Sequence, residues 1–105
     1  MKKISSIRQL LSPDFIGAHA LPSNIVYGDA ICSRGAVSMI NCEDTRVEAW
    51  VGGLDGKMIE GGGSRRRVEF TISENRLEWH CTGNPKNHQI FCKHCVALAR
   101  EMLKQ

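Results

Sequence analysis

The sequence has no long apolar run, few aromatic residues and no strong excess of charge of one sign. Although 42% of its 105 residues are hydrophobic, none of the apolar stretches approaches the ~20 residues that a membrane-spanning helix needs. Lys2 and Lys3 are not followed by the apolar stretch and small-residue cleavage site of a secretory signal. These absences predict a cytoplasmic protein without a membrane span, folded as one domain over residues 1–105.

Two further signatures of function are missing. The five cysteines are an odd number, and two of them stand beside histidines, which favours metal binding and free thiols over a secreted disulfide framework. The glycine-rich stretches 52–56 and 61–63 lack the Gly-Lys-Ser/Thr ending of a phosphate-binding loop, and they lead into a strand-like segment instead of a helix. We therefore interpret these glycines as a connection between strands.

Cysteine and histidine stand close together in the last quarter of the chain. Cys92-Lys93-His94 opens an apolar helix-like segment, and Cys81 ends a strand-like one. Thiolate and imidazole suit a tetrahedral zinc ion, and such an ion adds folding free energy to a small domain. We expect Cys81 and Cys92 to be ligands, with His94 as the third.

The fourth ligand stays open among His80, His88, Cys95 and water. We include His80 in the predicted set, although its side chain should point away from that of Cys81 if both lie on a regular strand. Cys95 starts the apolar face of the last helix, which favours packing in the core. His88 lies in the polar segment 84–89 and is expected at the surface.

Hydrophobic periodicity predicts an α+β fold with a short N-terminal helix and an antiparallel meander of about four or five strands within residues 1–80. A metal-binding loop and a C-terminal helix complete it over residues 81–105. Ser12-Pro13 marks either the end of the first helix or the start of another. The strands are expected at 25–32, 36–42, 45–51, 66–72 and 76–81, with a hairpin turn at 33–35 joining the first two.

The ligand segments resemble those of the SWIM-type zinc fingers, whose pattern is Cys-x-Cys, a variable loop, and Cys-x-His running into a hydrophobic helix. The run Phe-Cys-Lys-His-Cys-Val-Ala-Leu at 91–98 is similar to that of bacterial members. In the first half, Cys81 stands where the family has two cysteines, with Trp79 or Gly83 at the other position. The segment 47–53 is similar to a strand of the family's sheet, so the resemblance covers most of the chain.

The resemblance implies a function as well as a fold. It implies zinc bound through Cys92 and His94 in a module that interacts with nucleic acid or protein and has no catalytic activity. Bacterial members often accompany Swi/Snf-type helicase ATPases, while this chain carries no ATPase motif of its own. The expected role is therefore to bind nucleic acid, or to recruit to it a larger protein such as a helicase-like ATPase.

Basic residues cluster around the predicted metal loop. The net charge is +3 and the pI is ≈ 8.7, just below the value of ~9 that is typical of nucleic-acid-binding domains. The candidate contacts to nucleic acid, DNA above all, are Arg65, Arg66, Arg67, Lys86 and Lys93. Because adjacent strand residues alternate between faces, the three arginines could instead form a solvated sheet edge.

Two other classes of function remain open. A protein–protein adaptor or inhibitor would use the same surface to meet a partner's acidic residues, without contact to nucleic acid. A thiol enzyme would use Cys92-x-x-Cys95 at a helix start, but thioredoxin-like chemistry expects that motif in a βαβ context. A catalytic zinc ion would need a general base, for which Glu78 is the only nearby carboxylate.

Overall fold

The structure is a computed structural model that describes residues 6–52, 66–74, 76–82 and 90–104. In these ranges the chain forms three N-terminal helices, a four-stranded sheet and a last helix, which confirms the predicted α+β class. The elements are α1 (Ile7–Leu10), α2 (Pro13–His19), α3 (Pro22–Ser33), β1 (Val37–Cys42), β2 (Arg46–Val51), β3 (Arg66–Ser73), β4 (Arg76–Cys81) and α4 (Lys93–Lys104).

Serine and proline fix the starts of the first two helices. The Ser6 hydroxyl accepts a hydrogen bond from the N–H of Arg8, and the Gln9 side chain accepts one from the N–H of Ser6. Ser12 caps α2 by accepting from the N–H of Phe15 at 3.0 Å, and Pro13 occupies the first turn. Ser12-Pro13 therefore starts a second helix.

The four strands form an antiparallel meander in the order β1-β2-β3-β4. Side chains alternate between a buried inner face and a polar outer face, as the period of two requires. The inner face carries the buried residues Val47, Ala49, Val51, Val68, Phe70, Leu77 and Cys81. The strands predicted at 36–42, 45–51, 66–72 and 76–81 are confirmed within two residues at each end.

Helix α4 lies between α3 and the inner face of the sheet, since it contacts α3 extensively and touches all four strands. Five consecutive residues, Cys95 to Ala99, are buried because the helix is covered on both sides. Phe91, just before the helix, is also fully buried and stacks on Phe70 with ring centroids 5.5 Å apart. The core of the domain is therefore built around the start of α4.

The strand predicted at 25–32 is wrong, because this segment is the C-terminal part of α3. Pro22 provides a helix start, and the buried residues of the helix follow helical spacing at Gly28, Ile31 and Cys32. Packing overrides the β-propensity of Ile25 and its branched neighbours. The predicted turn at 33–35 consequently joins a helix to β1, with Gly35 in the left-handed conformation at φ +70°.

Oppositely charged side chains pair across the outer face of the sheet. Glu48 is 5% exposed and lies directly opposite Glu69 on the neighbouring strand. Arg46 bridges the two carboxylates at 2.7 and 2.8 Å, and Arg67 forms a second ion pair with Glu48. The arginines offset the repulsion that two facing carboxylates would otherwise produce.

None of the helices in the described part of the chain combines the length and the apolar character that a membrane span requires.

Candidate metal centre

Cys81, Cys92 and His94 meet where the end of β4 faces the start of α4. One ligand atom from each residue lies within 4.8 Å of the other two. The Sγ of Cys81 is 3.7 Å from the Nδ1 of His94. Both cysteines are buried, and His94 is half-buried. These three residues, called the ligand cluster below, could bind a metal ion.

Local structure explains why two distant segments converge here. Cys81 points inward because it follows the same alternation as Leu77 on β4. The indole N–H of Trp79 donates to the carbonyl of Ile90 at 3.2 Å, which holds the segment before α4 against β4. The N–H of Phe91 donates to the carbonyl of His19 at 3.1 Å. The segment that leads into α4 is therefore held against both β4 and α2 by hydrogen bonds that involve none of the candidate metal ligands.

One separation within the ligand cluster matches that of a tetrahedral zinc site. A tetrahedral ion with Zn–S bonds of ~2.3 Å and Zn–N bonds of ~2.1 Å holds its ligand atoms roughly 3.5–3.8 Å apart. The 3.7 Å between Cys81 Sγ and His94 Nδ1 lies in this range. Sulfur and imidazole nitrogen are also donors that suit zinc, whereas magnesium and calcium prefer oxygen donors.

Hydrogen bonds among the sulfur atoms give two neighbouring cysteines different protonation states. Hydrogen bonding from Cys81, and next from Cys95, lowers the pKa of the Cys92 thiol well below its ordinary value despite the opposing effect of burial. The hydrogen bond to Cys92, together with burial, raises the pKa of Cys95. These directions favour the thiolate at Cys92, which is the form that binds metal, and the thiol at Cys95.

The structure does not bring His80 into the ligand cluster. Because His80 follows Trp79 and precedes Cys81 on a regular strand, its side chain lies on the outer face of the sheet, opposite Glu69. It lines a separate cavity of about 520 Å³ together with Glu69 and Thr71. His80 is therefore not among the three residues whose ligand atoms lie within 4.8 Å of one another, and its role as a fourth ligand stays a prediction.

Two of the predicted nucleic-acid contacts lie beside the ligand cluster. Arg66 and Lys93 line a cavity of about 370 Å³ that Cys92 and His94 also line. This space is called the basic cavity below. Asn24 completes part of its wall from the start of α3. One surface region therefore combines two candidate metal ligands with two cationic side chains.

The arginine cluster predicted from the sequence is divided by the alternation of β3. Arg66 faces the basic cavity, whereas Arg67 is on the outer face in its ion pair with Glu48. Arg65, Lys86 and His88 lie outside the described residues, as does the region of Gly83.

Three contributors to the site are absent from the predicted set. Leu21 and Asn24 line the basic cavity. The interpretation of 25–32 as a strand gives no reason to expect a helix start at these residues. Pro22 was the available signal for that helix. Trp79 positions the segment before α4 through its indole N–H, a role that no sequence spacing indicates.

Comparisons of the chain with protein-family models, with curated proteins and with solved structures found no match.

Proposed function

We propose that the protein is a zinc-binding interaction module without catalytic activity, which binds nucleic acid, DNA above all, through the basic cavity. The observation that carries the proposal is the shared wall of that cavity, where Cys92 and His94 adjoin Arg66 and Lys93. Zinc at the ligand cluster would join the end of β4 to the start of α4 and so hold the cationic side chains in one arrangement.

Zinc is favoured by the donor set and by the separations within the ligand cluster. The resemblance to SWIM-type zinc fingers supports the same assignment, since Cys92 and His94 match its Cys-x-His half. The proposal places no fourth protein ligand among the described residues. A helicase-like ATPase that acts on nucleic acid is the partner that the resemblance suggests.

Elemental analysis and cobalt substitution test the metal. We expect one zinc ion per chain in protein purified without chelators, and cobalt should give the absorption bands of a tetrahedral thiolate site. Cys92→Ser and His94→Ala should lose the metal. Cys42→Ser is the matched control, because Cys42 is exposed and outside the ligand cluster. Full metal content in Cys92→Ser would refute the assignment.

The variant His80→Ala distinguishes the ligand set predicted from the sequence, which includes His80, from the ligand cluster, which does not. Because His80 lies on the outer face of the sheet, His80→Ala should retain its zinc, whereas His94→Ala should lose it. Loss of zinc from His80→Ala in a folded protein would restore the ligand assignment made from the sequence.

Salt-dependent binding tests the nucleic-acid proposal. A labelled DNA duplex and its single strand are titrated with wild type, with the double variant Arg66→Gln/Lys93→Gln, and with Arg34→Gln/Arg76→Gln. The control pair removes the same charge from two exposed positions that do not line the basic cavity. Each lost phosphate contact should lower the slope of log K against log salt by about 0.7–0.9. Equal slopes for the two double variants would refute the proposal.

A protein partner is the second candidate function. Leu21 lines the basic cavity and is 54% exposed, which gives the cavity an apolar rim. Tyr27 is also exposed, with Lys93 Nζ 5.9 Å from its ring centroid. Exposed leucine and tyrosine beside cations suit an acidic polypeptide. Absence of DNA binding by a zinc-loaded protein would favour this function.

A further inference from the structure

Cys95 lies next to the ligand cluster without belonging to it. Its Sγ is 3.6 Å from the Sγ of Cys92, and its side chain is completely buried. Cys92 lines the basic cavity and keeps 8% of its surface exposed, whereas Cys95 is fully buried, so Cys92 is the residue of the pair that lies nearer to solvent. Cys95 is outside the three-residue group that could bind the metal, so its sulfur is available for a second role.

We propose that Cys92 and Cys95 form a redox pair, which a peroxide converts to a disulfide so that Cys92 is lost as a ligand and the metal is released. The release step rests on the proposed function, because it requires an ion held by Cys92. The pairing of the two sulfurs rests on their geometry alone.

The geometry of the first helical turn permits the bond. The carbonyl of Cys92 accepts from the N–H of Val96 at 2.9 Å, so Cys92 and Cys95 occupy the same turn at a separation of three residues. The two sulfur atoms must approach by about 1.5 Å to reach the S–S length of ~2.05 Å. Side-chain rotation within one turn can supply much of that movement.

The order of the chemical steps follows from access. The Cys92 thiolate attacks one peroxide oxygen, the O–O bond breaks, and the departing hydroxide takes a proton from solvent to become water. The resulting sulfenic acid on Cys92 is then attacked by Cys95. The S–S bond forms as the S–O bond breaks, and the departing hydroxide takes the proton of the Cys95 thiol. Two cysteines are oxidised, and one peroxide is reduced to two waters.

Cys81 is the competing partner for Cys92, since it belongs to the same ligand cluster. It lies on β4, however, and its sulfur contacts the ring of His94 at 3.7 Å. A bond from Cys92 to Cys81 would join two different elements. The pair within one turn of α4 is therefore favoured, and the experiment must tell the two disulfides apart.

Tryptic mapping makes this distinction directly. Cleavage after lysine and arginine places Cys81, Cys92 and Cys95 on three separate peptides, 77–86, 87–93 and 94–100. Zinc-loaded full-length protein is treated with hydrogen peroxide, quenched in acid, alkylated and digested, while released zinc is measured with a chromophoric indicator. We expect peptide 87–93 linked to 94–100 and one zinc ion released per disulfide. A link between 77–86 and 87–93, or zinc release without a disulfide, would overturn the proposal.

Cys95→Ser tests the role of the second sulfur, with Cys42→Ser as the control for an exposed thiol. Phosphine reduction followed by added zinc should restore metal binding in oxidised wild type and in Cys42→Ser. It should fail in oxidised Cys95→Ser, where Cys92 proceeds to the irreversible sulfinic acid. Full recovery in Cys95→Ser would contradict the proposal, as would failure of that variant to bind zinc before oxidation.

Wild-type mapping needs no variant, so it decides the pairing even if Cys95→Ser does not fold. Wild type that contains no zinc would refute the proposed function and the release step together. Mapping of the same metal-free sample would still decide the pairing, since a linked 87–93 and 94–100 supports the redox pair and its absence excludes it.

Discussion

Gly28 lies at a close contact between α3 and α4, and replacing it should destabilise the protein by displacing the start of α4. A Cβ atom built on Gly28 lies 2.5 Å from both Cβ and Cγ1 of Val96, and 2.8 Å from the carbonyl oxygen of Lys93. The Cγ1 of Val96 can rotate away, but its Cβ and the Lys93 oxygen move only with the backbone. Gly28→Ala therefore forces the helices apart.

The free energy of this change combines two opposing effects. Overpacking of a well-filled contact costs about 1–3 kcal/mol, while alanine improves helix propensity by about 1 kcal/mol over glycine. Because two of the three clashing atoms move only with the backbone, we take the upper part of the overpacking range, about 2–3 kcal/mol, and expect a net loss of roughly 1–2 kcal/mol for Gly28→Ala. The matched control is Gly17→Ala in α2, where no atom lies within 4 Å of the added Cβ. That variant should gain about 0.5–1 kcal/mol.

Urea unfolding of both variants, followed by circular dichroism, provides the measurement. Because Lys93 stands between Cys92 and His94, Gly28→Ala should also weaken metal binding, which Gly17→Ala should leave unchanged. Gly28→Ala that unfolds at the same urea concentration as wild type, or at a higher one, would refute the close helix contact. Equal metal affinity in a destabilised Gly28→Ala would show instead that the ligand cluster tolerates movement of α4.

Two further predictions concern the outer face and the exposed thiol. Arg46→Ala leaves the carboxylates of Glu48 and Glu69 facing each other, so we expect a loss of about 1 kcal/mol, limited by the partial exposure of Arg46. Urea unfolding checks it, and an unchanged midpoint would contradict it. Alkylation of the native protein should modify exposed Cys42 quickly and buried Cys32 only on unfolding, because burial also raises the pKa of Cys32. Equal rates by mass spectrometry would contradict that burial.

The strands and the last helix could be predicted from sequence because their hydrophobic periods are clear. In Arg46–Val51 the buried apolar residues Val47, Ala49 and Val51 recur at every second position, and the apolar face that begins at Cys95 has helical spacing. Helix α3 could not be predicted in the same way, since its β-branched residues suggest a strand and only packing against α4 makes the helix favourable. A contact such as that between Gly28 and Val96 joins residues far apart in sequence, so no local pattern reports it.

The candidate site, like the fold, could be predicted from the sequence only in part. Cys81, Cys92 and His94 could be predicted because ligand type and spacing are written in the chain, and the structure brings them within 4.8 Å. His80 lies apart from these three because one residue along a strand reverses the face. The charge pattern alone could not predict that Arg66 and Lys93 line the same cavity, because this depends on the register of β3 and on the position of α4.

The proposed function links metal occupancy to nucleic-acid binding through charge at the basic cavity. Without metal, the Cys92 thiolate lies on the same wall as Arg66 and Lys93 and partly offsets their attraction for phosphate. In the proposed site, the two positive charges of zinc cancel two cysteine thiolates, so binding removes that offset. In the proposed redox step, oxidation of Cys92 would release the ion and with it the structural tie between β4 and α4. We therefore expect the zinc-loaded reduced form to bind nucleic acid more tightly than the oxidised, metal-free form.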